Sequence, residues 1–413
     1  MEFGPVFRSL FQNRARTWLI VLEIGLTLAV VVNCLVLIRD QQAQIDRPTG
    51  MDEQNLIAVT SVPFDPAFQQ EGYSTASYEE DLREIAAMPG VRSVSPILQF
   101  PLSGSGSATG RRIAGSEDQR TTVPYFLMGP DAVDTLGVEI VQGRGFEPGD
   151  FPDLHAENEE NAEEDEDSIE VTNILVTQYT ANKLFPDGDA LGKQIEGNDS
   201  SIDTIVGIVR LMHNSWPLGP DPENLMIHPD HAINNRQTRY LVRAEADRFD
   251  EVFTALEPRL RELEEGRIVT VRSLSEMKGE YYSDYTSMNQ LLGWISVLLV
   301  AVTGLGIVGM TSFSVTQRTK HIGTRRALGA TRADIVRLFL LENWMVTGIG
   351  IVVGVGLTFG LNYLLASTGG VPQIQPPILL ASILVMWLMG LLAALIPALR
   401  GSMVQPVIAT RSV

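Results

Sequence analysis

One segment approaches a phosphate-binding loop, the run Gly188–Gln194 with the sequence GDALGKQ. A P-loop follows the pattern G-x-x-x-x-G-K-[ST], because its backbone N–H groups cradle the phosphates and its hydroxyl binds Mg²⁺. Here only three residues separate Gly188 from Gly192, and Gln194 follows Lys193. No other Gly-Lys-Ser or Gly-Lys-Thr occurs in the sequence. We therefore expect this chain to hydrolyse no nucleotide and to bind no cofactor.

The candidates for metal binding or nucleophilic catalysis are equally few. His228 and His231 form a His-x-x-His pair that could share a metal ion, but Pro229 argues against a helix and no third ligand is evident. Surface histidines are the simpler interpretation. No G-x-S-x-G sequence occurs, and the single cysteine, Cys34, lies in an apolar segment. The sequence predicts no metal site, no catalytic residues and no enzyme activity in this chain.

Four apolar segments account for most of the remaining signal. They are residues 17–38, 290–313, 338–366 and 378–399. Each is long enough, at about 1.5 Å per residue, to cross a hydrocarbon layer of roughly 30 Å. The first could instead be a signal peptide, but its apolar stretch exceeds the usual core and no small-x-small cleavage site follows. We predict four transmembrane helices.

The distribution of charge predicts the topology. The loop at 314–337 has a single acid, Asp334, and six basic residues: Arg318, Lys320, Arg325, Arg326, Arg332 and Arg337. Basic loops remain in the cytoplasm, which places this loop, residues 1–16 and residues 400–413 inside. Residues 39–289, which hold most of the acids behind the net charge of −19, and the short loop 367–377 are then periplasmic. The chain is predicted to be a multi-pass protein of a bacterial inner membrane.

The periplasmic region contains a repeated pattern. A strand at Asn55–Pro63, a helix at Tyr78–Met88 and a strand at Val91–Leu98 recur as 238–244, 248–263 and 267–274. Such strand–helix–strand units build a sheet with helices on one face. The residues between them, about 100–235, read as a β-rich insert. The predicted fold class is four transmembrane helices plus a large α/β periplasmic domain of two βαβ lobes with an inserted β-rich lobe.

Three further features are interpreted from their composition. The acidic run 155–167 is expected to be a solvated loop, with a cationic partner as the alternative. Residues 39–45 and 275–290 have helical patterns, which predicts that spans one and two continue as stalks. Glu23 and Glu342 lie near the cytoplasmic rim, where they either pair with basic groups or reach the lipid headgroups.

The cytoplasmic loop has a pattern beyond its charge. Ile322, Arg325, Arg326 and Leu328 place apolar and basic side chains on neighbouring faces of a short helix that Gly329 would close. Such a helix could lie on the membrane surface or dock in the groove of a partner protein.

The same loop resembles the signature of the FtsX/MacB-type permeases, the type VII ABC transporters, which runs R-x-x-E-I-G-x-R-R-A-L-G-A. The matching residues are Arg318, Ile322, Gly323, Arg325, Arg326, Ala327, Leu328, Gly329 and Ala330. Residues 182–209 and 141–146 resemble the family's periplasmic core, and residues 397–411 resemble its C-terminal ending. His321 and Ile408 stand where the family commonly has Glu, which puts in doubt any salt bridge that those acids make.

The resemblance implies a permease that dimerises and transmits motion. A separate ABC ATP-binding subunit, holding Mg-ATP, would dock on this helix and move the stalks. The eight residues expected to couple to it are Arg318, Ile322, Gly323, Arg325, Arg326, Ala327, Leu328 and Gly329. About sixteen residues precede span one, so the ATPase is expected in trans. Efflux with a periplasmic adaptor is the leading expectation. The alternatives are lipoprotein extraction, and a signalling or scaffold protein that activates a periplasmic hydrolase. The sequence leaves open the substrate and whether the dimer pairs identical chains or paralogues.

Overall fold

The computed structural model describes residues 14–66, 73–117, 119–154, 171–198, 201–233, 236–369 and 372–404. It divides into two compact units, a membrane unit of Met1–Asp46 with Asp284–Val413 and an outer unit of Arg47–Ser283. The acidic run 155–167 and the family-like ending at 406–411 lie outside the described residues.

The helices and strands are numbered in chain order over the described residues. The helices are α1 Arg14–Ile45, α2 Tyr73–Ala87, α3 Ala132–Leu136, α4 Gln178–Leu184, α5 Phe249–Leu263, α6 Leu274–Tyr281, α7 Ser283–Gln317, α8 Thr319–Ala327, α9 Arg332–Gly369 and α10 Pro376–Ser402. The strands are β1 Leu56–Pro63, β2 Val91–Pro96, β3 Ser107–Ile113, β4 Thr121–Met128, β5 Ile140–Gly143, β6 Val171–Thr177, β7 Gln194–Glu196, β8 Ile202–Val209, β9 Met226–Pro229, β10 Thr238–Ala244 and β11 Arg267–Ser273.

Four helices of the membrane unit are apolar and long enough to cross a bilayer. Their apolar stretches are Thr17–Ile45, Ser283–Gln317, Arg332–Ser367 and Pro376–Ser402. Each contains one of the predicted spans, so the prediction of four transmembrane helices is confirmed. Helices α1 and α9 approach closely, because Gly350 and Gly354 leave room for Ile24 and Leu28.

One sheet of the outer unit unites the two strand–helix–strand patterns. Its order is β11-β1-β10-β2, and every neighbouring pair is antiparallel. Helices α2 and α5 cover one face, where Ile85, Leu256 and Tyr240 are fully buried. The α/β character and the helices on one face are therefore confirmed. The strands of the two strand–helix–strand patterns alternate within a single sheet.

The insert forms a second sheet of seven strands, in the order β5-β8-β6-β9-β4-β3-β7. Strand β7 also pairs with β8, so the sheet closes on itself. Its side chains meet the opposite face of the first sheet in a core that includes Phe126, Met128 and Leu241. Closure hides most strand edges, which suits a β-rich insert between two strands of another sheet.

The two predicted stalk segments differ. Helix α1 continues without a break from the apolar stretch to Ile45, as expected. The second segment is interrupted, because α6 ends at Tyr281 and α7 begins at Ser283. Tyr282, between them, is buried at 2% exposure, and its N–H closes α6 by donating to the carbonyl of Lys278. The segment 275–290 is therefore helical, as its pattern predicts, but it consists of two helices that meet at Tyr282.

Candidate functional site

The family-like signature forms a separate short helix, α8, which we call the coupling helix. It follows α7 after one residue, Arg318, and ends at Ala327. Gly329 then adopts φ +104°, a left-handed conformation that glycine reaches without strain. The N–H of Ala330 donates to the carbonyl of Arg325 across this turn at 3.0 Å. The predicted helix and its glycine stop are thus both present, with the hydrogen bonding of a Schellman-type end.

The next helix begins at once with its own cap. The side chain of Thr331 accepts a hydrogen bond from the N–H of Asp334 at 3.2 Å, and the carboxylate of Asp334 accepts from the N–H of Thr331 at 2.9 Å. This reciprocal pair satisfies two N–H groups at the start of α9. The left-handed turn and the cap together define the short connection between the coupling helix and α9.

Ile322 anchors the coupling helix to the membrane helices. It is 3% exposed and packs in a cluster with Ile335 and Phe339 of α9 and Ala398 of α10. Gly323 beside it is also buried. The helix therefore presents its only buried apolar side chain to the ends of two membrane helices at once.

Arg318 forms an ion pair that fixes the start of the coupling helix. Its guanidinium donates to both carboxylate oxygens of Glu342, at 2.7 and 3.1 Å. The pair is bidentate and partly shielded from solvent, a geometry that is stronger and more directional than an exposed ion pair. Glu342 therefore pairs with a basic group, one of its two predicted roles, and the partner is Arg318.

Arg326 closes the end of α10. Its Nη1 donates to the carbonyls of Ser402 at 3.1 Å and Val404 at 2.6 Å. The last carbonyls of a helix have no intrahelical partner and carry a partial negative charge, which a cation stabilises. Arg326 thus joins the coupling helix to the last turn of α10.

The remaining side chains of the coupling helix form an exposed surface, which we call the outward face. Its members are Lys320, His321, Thr324, Arg325, Ala327 and Leu328. Leu328 is 84% exposed, an unusual position for a leucine beside a basic residue. Residues 319–327 contain no acid, so the outward face combines positive charge with an exposed apolar side chain. Arginine is enriched at protein interfaces, so Arg325 beside the exposed Leu328 is the part of this face best suited to contact a partner.

The structure divides seven of the eight predicted site residues into two groups. Arg318, Ile322, Gly323 and Arg326 contact the rest of the membrane unit, whereas Arg325, Ala327 and Leu328 are exposed. Gly329 forms the turn. Sequence reasoning did not connect Arg318 with Glu342, or Arg326 with the end of α10. The one sequence feature that pointed to the first of these contacts was Glu342, an acid near the start of the apolar span 338–366.

The other sequences considered for chemistry lie in the outer unit and make local contacts. His228 lies 3.8 Å from Asp203, whereas Nε2 of His231 lies 3.0 Å from the carbonyl of Pro152. Lys193 lies 3.4 Å from Asp189 within its own loop. Among the described residues, no three His, Cys, Asp or Glu side chains converge in a way that could hold a metal ion.

Comparison with known proteins identifies two family domains. The MacB-like periplasmic core domain matches residues 17–259, more than half of the chain. The FtsX-like permease C-terminal domain matches residues 293–406, which include the coupling helix.

Two relatives illustrate the range of the family. An uncharacterized ABC transporter permease of Bacillus subtilis, YvrN, is 24% identical, and the alignment covers 98% of each chain. A macrolide export ATP-binding/permease protein, MacB 1/2 of Paracoccus denitrificans, is 25% identical, and the alignment covers 97% of this chain but 57% of the relative.

Among solved structures, the periplasmic region of MacB from Actinobacillus actinomycetemcomitans matches at 13% identity with a TM-score of 0.35. It covers 58% of this chain and 97% of that one. From its two domain matches, the chain belongs to the MacB/FtsX-type ABC transporter permeases.

Proposed function

We propose that this permease converts the motion of a separate ATP-binding subunit, docked on the outward face of the coupling helix, into motion of the outer unit. The observation that carries the proposal is the division of the signature into an anchored and an exposed group. The exposed group, with Arg325 and Leu328, offers positive charge and an apolar contact to a partner. The partner would hold Mg-ATP, and this chain would supply no catalytic residue.

The anchored group explains how a push on the outward face would spread. Ile322 packs against α9 and α10, Arg318 holds α9 through Glu342, and Arg326 holds the end of α10. Packed side chains and a bidentate ion pair resist deformation, so displacement of the coupling helix would carry the ends of α7, α9 and α10 with it. Helix α1 packs closely against α9 and would follow.

The topology that this mechanism requires is the one with basic segments inside. The coupling helix, both termini and the ATP-binding subunit would be cytoplasmic, the membrane would be the bacterial inner membrane, and the outer unit would be periplasmic. Two permease chains, identical or paralogous, would assemble with the ATP-binding subunits. We further propose export with a periplasmic adaptor, since several relatives at 25–26% identity are macrolide export proteins.

The experiment is a pull-down of the tagged full chain in mild detergent, followed by measurement of co-purified Mg-ATPase activity. The double variant Arg325→Ala/Leu328→Asp changes two exposed side chains of the outward face and leaves Arg318, Ile322 and Arg326 unaltered. We expect it to lose the ATP-binding subunit. Arg400→Ala is the matched control, because Arg400 is an exposed arginine near the end of α10 and lies outside the signature.

Equal recovery of the ATPase by the native chain and the double variant would refute docking on the outward face. Loss of the ATPase from Arg400→Ala as well would show that the interaction follows overall charge and not this surface. If an ATPase docks but substrate export needs no adaptor, the export proposal fails while the coupling proposal stands.

A further inference from the structure

A groove of about 630 Å³ lies between the first turns of α9 and the last turns of α10. Its walls are almost entirely apolar, with Leu340 and Trp344 on α9 and Leu391 and Met403 on α10 among the lining residues. The groove begins at Arg332, the first residue of α9. It lies beside the start of α9 and the end of α10, which both contact the coupling helix. Its lining touches the coupling-helix contacts at two residues, because Ser402 accepts from Arg326 and Val336 packs against the Ile322 cluster.

Two arginines stand at one end of this otherwise apolar groove. Arg332 and Arg337 both line it, and both are exposed. Among the described side chains, neither guanidinium forms a salt bridge within 4.0 Å. The nearest acid, Asp334, already accepts hydrogen bonds from the backbone and the side chain of Thr331. The groove therefore combines two exposed positive charges, of which Arg337 interacts with Asp334 beyond salt-bridge distance, with an almost entirely apolar lining.

The length of the groove matches one leaflet of a bilayer. From Arg332 to Trp344 the rise along α9 is about 18 Å at roughly 1.5 Å per residue. One leaflet contributes about half of a hydrocarbon thickness of roughly 30 Å. At the end of the groove farthest from Arg332, Trp344 stacks on Trp387 with ring centroids 5.9 Å apart, which gives the groove a flat aromatic wall.

We propose that this groove binds one anionic phospholipid, its phosphate paired with Arg332 and Arg337 and an acyl chain lying along Leu340 and Trp344. Basic pockets between membrane helices are suited to anionic headgroups, and the apolar walls exclude a free phosphate as the natural occupant. The chain's own segments complement the site poorly. Residues 405–413 contain Arg411 and no Asp or Glu, and residues 1–13 contain Arg8 and one acid.

A lipid here would couple membrane composition to the coupling helix. The same turns of α9 that line the groove carry Ile335 and Phe339, against which Ile322 packs. An acyl chain filling the groove would stiffen those turns from the other side, since empty apolar space forfeits packing contacts. This inference concerns a ligand of the membrane unit and does not depend on the ATP-binding subunit.

The test is native mass spectrometry of the full chain, released from detergent and titrated with phosphatidylglycerol or, separately, with phosphatidylethanolamine. We expect one phosphatidylglycerol to be retained in preference to phosphatidylethanolamine. Since a basic residue near the membrane surface contributes about 1 kcal/mol to binding an anionic lipid, Arg332→Gln/Arg337→Gln should weaken retention roughly 30-fold. Lys320→Gln/Arg325→Gln is the control, because it removes the same charge from the outward face.

A second variant tests the channel without changing any charge. Ala333 lines the groove, and Ala333→Trp should fill it and displace the lipid while both arginines remain. Full retention by Ala333→Trp, or equal weakening by the control pair, would overturn the proposal, because the lipid would then lie on the surface. Lipid retention that is absent from the full chain and appears only after deletion of residues 405–413 would also overturn it, because that segment would then occupy the groove.

Discussion

Helix α5 of the outer unit and the coupling helix both carry arginines, but they place them in opposite electrostatic settings. On α5, Arg259 pairs with Glu84 of α2, and Arg261 pairs with Glu257 one turn away. The helix buries Val252, Leu256 and Leu260 on its sheet. The coupling helix buries one apolar side chain, Ile322, and contains no acid. Helix α5 thus pairs its arginines with acids of the outer unit, whereas the coupling helix has no acid of its own to pair with its basic residues.

Two arginines that cap helices show the same contrast. Arg267 donates to the carbonyl of Leu260 at the end of α5, and it also pairs with Asp81 at 2.5 and 2.7 Å. Arg326 donates to carbonyls at the end of α10 without a salt bridge among the described residues. Arg267 is buried and has a counter-ion, whereas Arg326 is half-buried and pairs with backbone carbonyls.

The largest expected effect tests the buried counter-ion. Asp81→Asn should lower the free energy of unfolding of the outer unit by about 3–5 kcal/mol, because Arg267 would remain buried without an opposite charge. Hydrogen exchange of β10 and β11 in the full chain measures the loss. Glu84→Gln removes the exposed partner of Arg259 and should cost at most about 1 kcal/mol. Equal costs for the two variants would remove the distinction between buried and exposed pairs.

The second effect depends on pH and concerns a buried histidine of the outer unit. His213 is 1% exposed, and neither ring nitrogen hydrogen-bonds to a described residue. Burial, with the nearby charges of Arg47 and Lys278, lowers the pKa of His213 to about 4 from 6.5. Between these two pH values the unfolded state binds a proton at His213 and the folded state does not. The contribution of His213 to the free energy of unfolding is therefore fully present above pH 6.5 and is lost as the pH falls toward 4.

The expected loss is about 3 kcal/mol across that interval, since one pKa unit corresponds to about 1.4 kcal/mol. Hydrogen exchange of the outer unit at pH 7 and pH 4.5 measures it, after correction for the intrinsic exchange rate. His213→Leu should remove most of this pH dependence. His321→Gln, which changes an exposed histidine of the coupling helix, should leave it unaltered. A native-like pH dependence in His213→Leu would show that another group is responsible.

A smaller effect separates the two faces of the coupling helix. Ile322→Ala should lower the local stability of residues 319–327 by about 2 kcal/mol, the low end for such a truncation because the cluster lies at helix ends that can collapse. Leu328→Ala should leave that stability unchanged, since its side chain contacts solvent. Hydrogen exchange of the coupling helix compares the two. Similar protection loss in both variants would contradict the division into anchored and outward faces.

The smallest effect tests the turn that ends the coupling helix. Gly329→Ala places a Cβ in a left-handed conformation, although no neighbouring atom lies within 4 Å of that position. The cost should therefore be conformational alone, about 1 kcal/mol. Exchange of the Ala330 N–H, which donates to the carbonyl of Arg325, reports it directly. Gly188→Ala, at φ +90° in an open loop of the outer unit, is the matched control for local cost.

The sequence predicted best those features that depend on neighbouring residues. Strand β10 was placed at its observed bounds, because alternating residues and flanking polar segments define it locally. The four membrane helices followed from continuous apolar runs. The glycine stop of the coupling helix followed from the conformational freedom of Gly329.

The features that were missed depend on residues far apart in the chain. Arg318 and Glu342 meet only because α7 and α9 lie side by side, and no local pattern identifies such a pair. Periodicity placed Ile322 and Leu328 in one amphipathic helix but could not say that one is buried and the other exposed. The order of the seven-stranded sheet is likewise set by long-range pairing of short strands.

The hold of Arg326 on the carbonyls of Ser402 and Val404 has a practical consequence for labelling. A fluorophore attached immediately after Val404 would be joined to backbone whose carbonyl accepts a hydrogen bond from Arg326 of the coupling helix. The rotational freedom of the fluorophore would therefore report on the coupling helix, although the two lie far apart in the sequence. Arg326→Met would remove both hydrogen bonds and increase the rotational freedom of the fluorophore while leaving the outward face intact. That rotational freedom would then give an optical readout of the proposed docking.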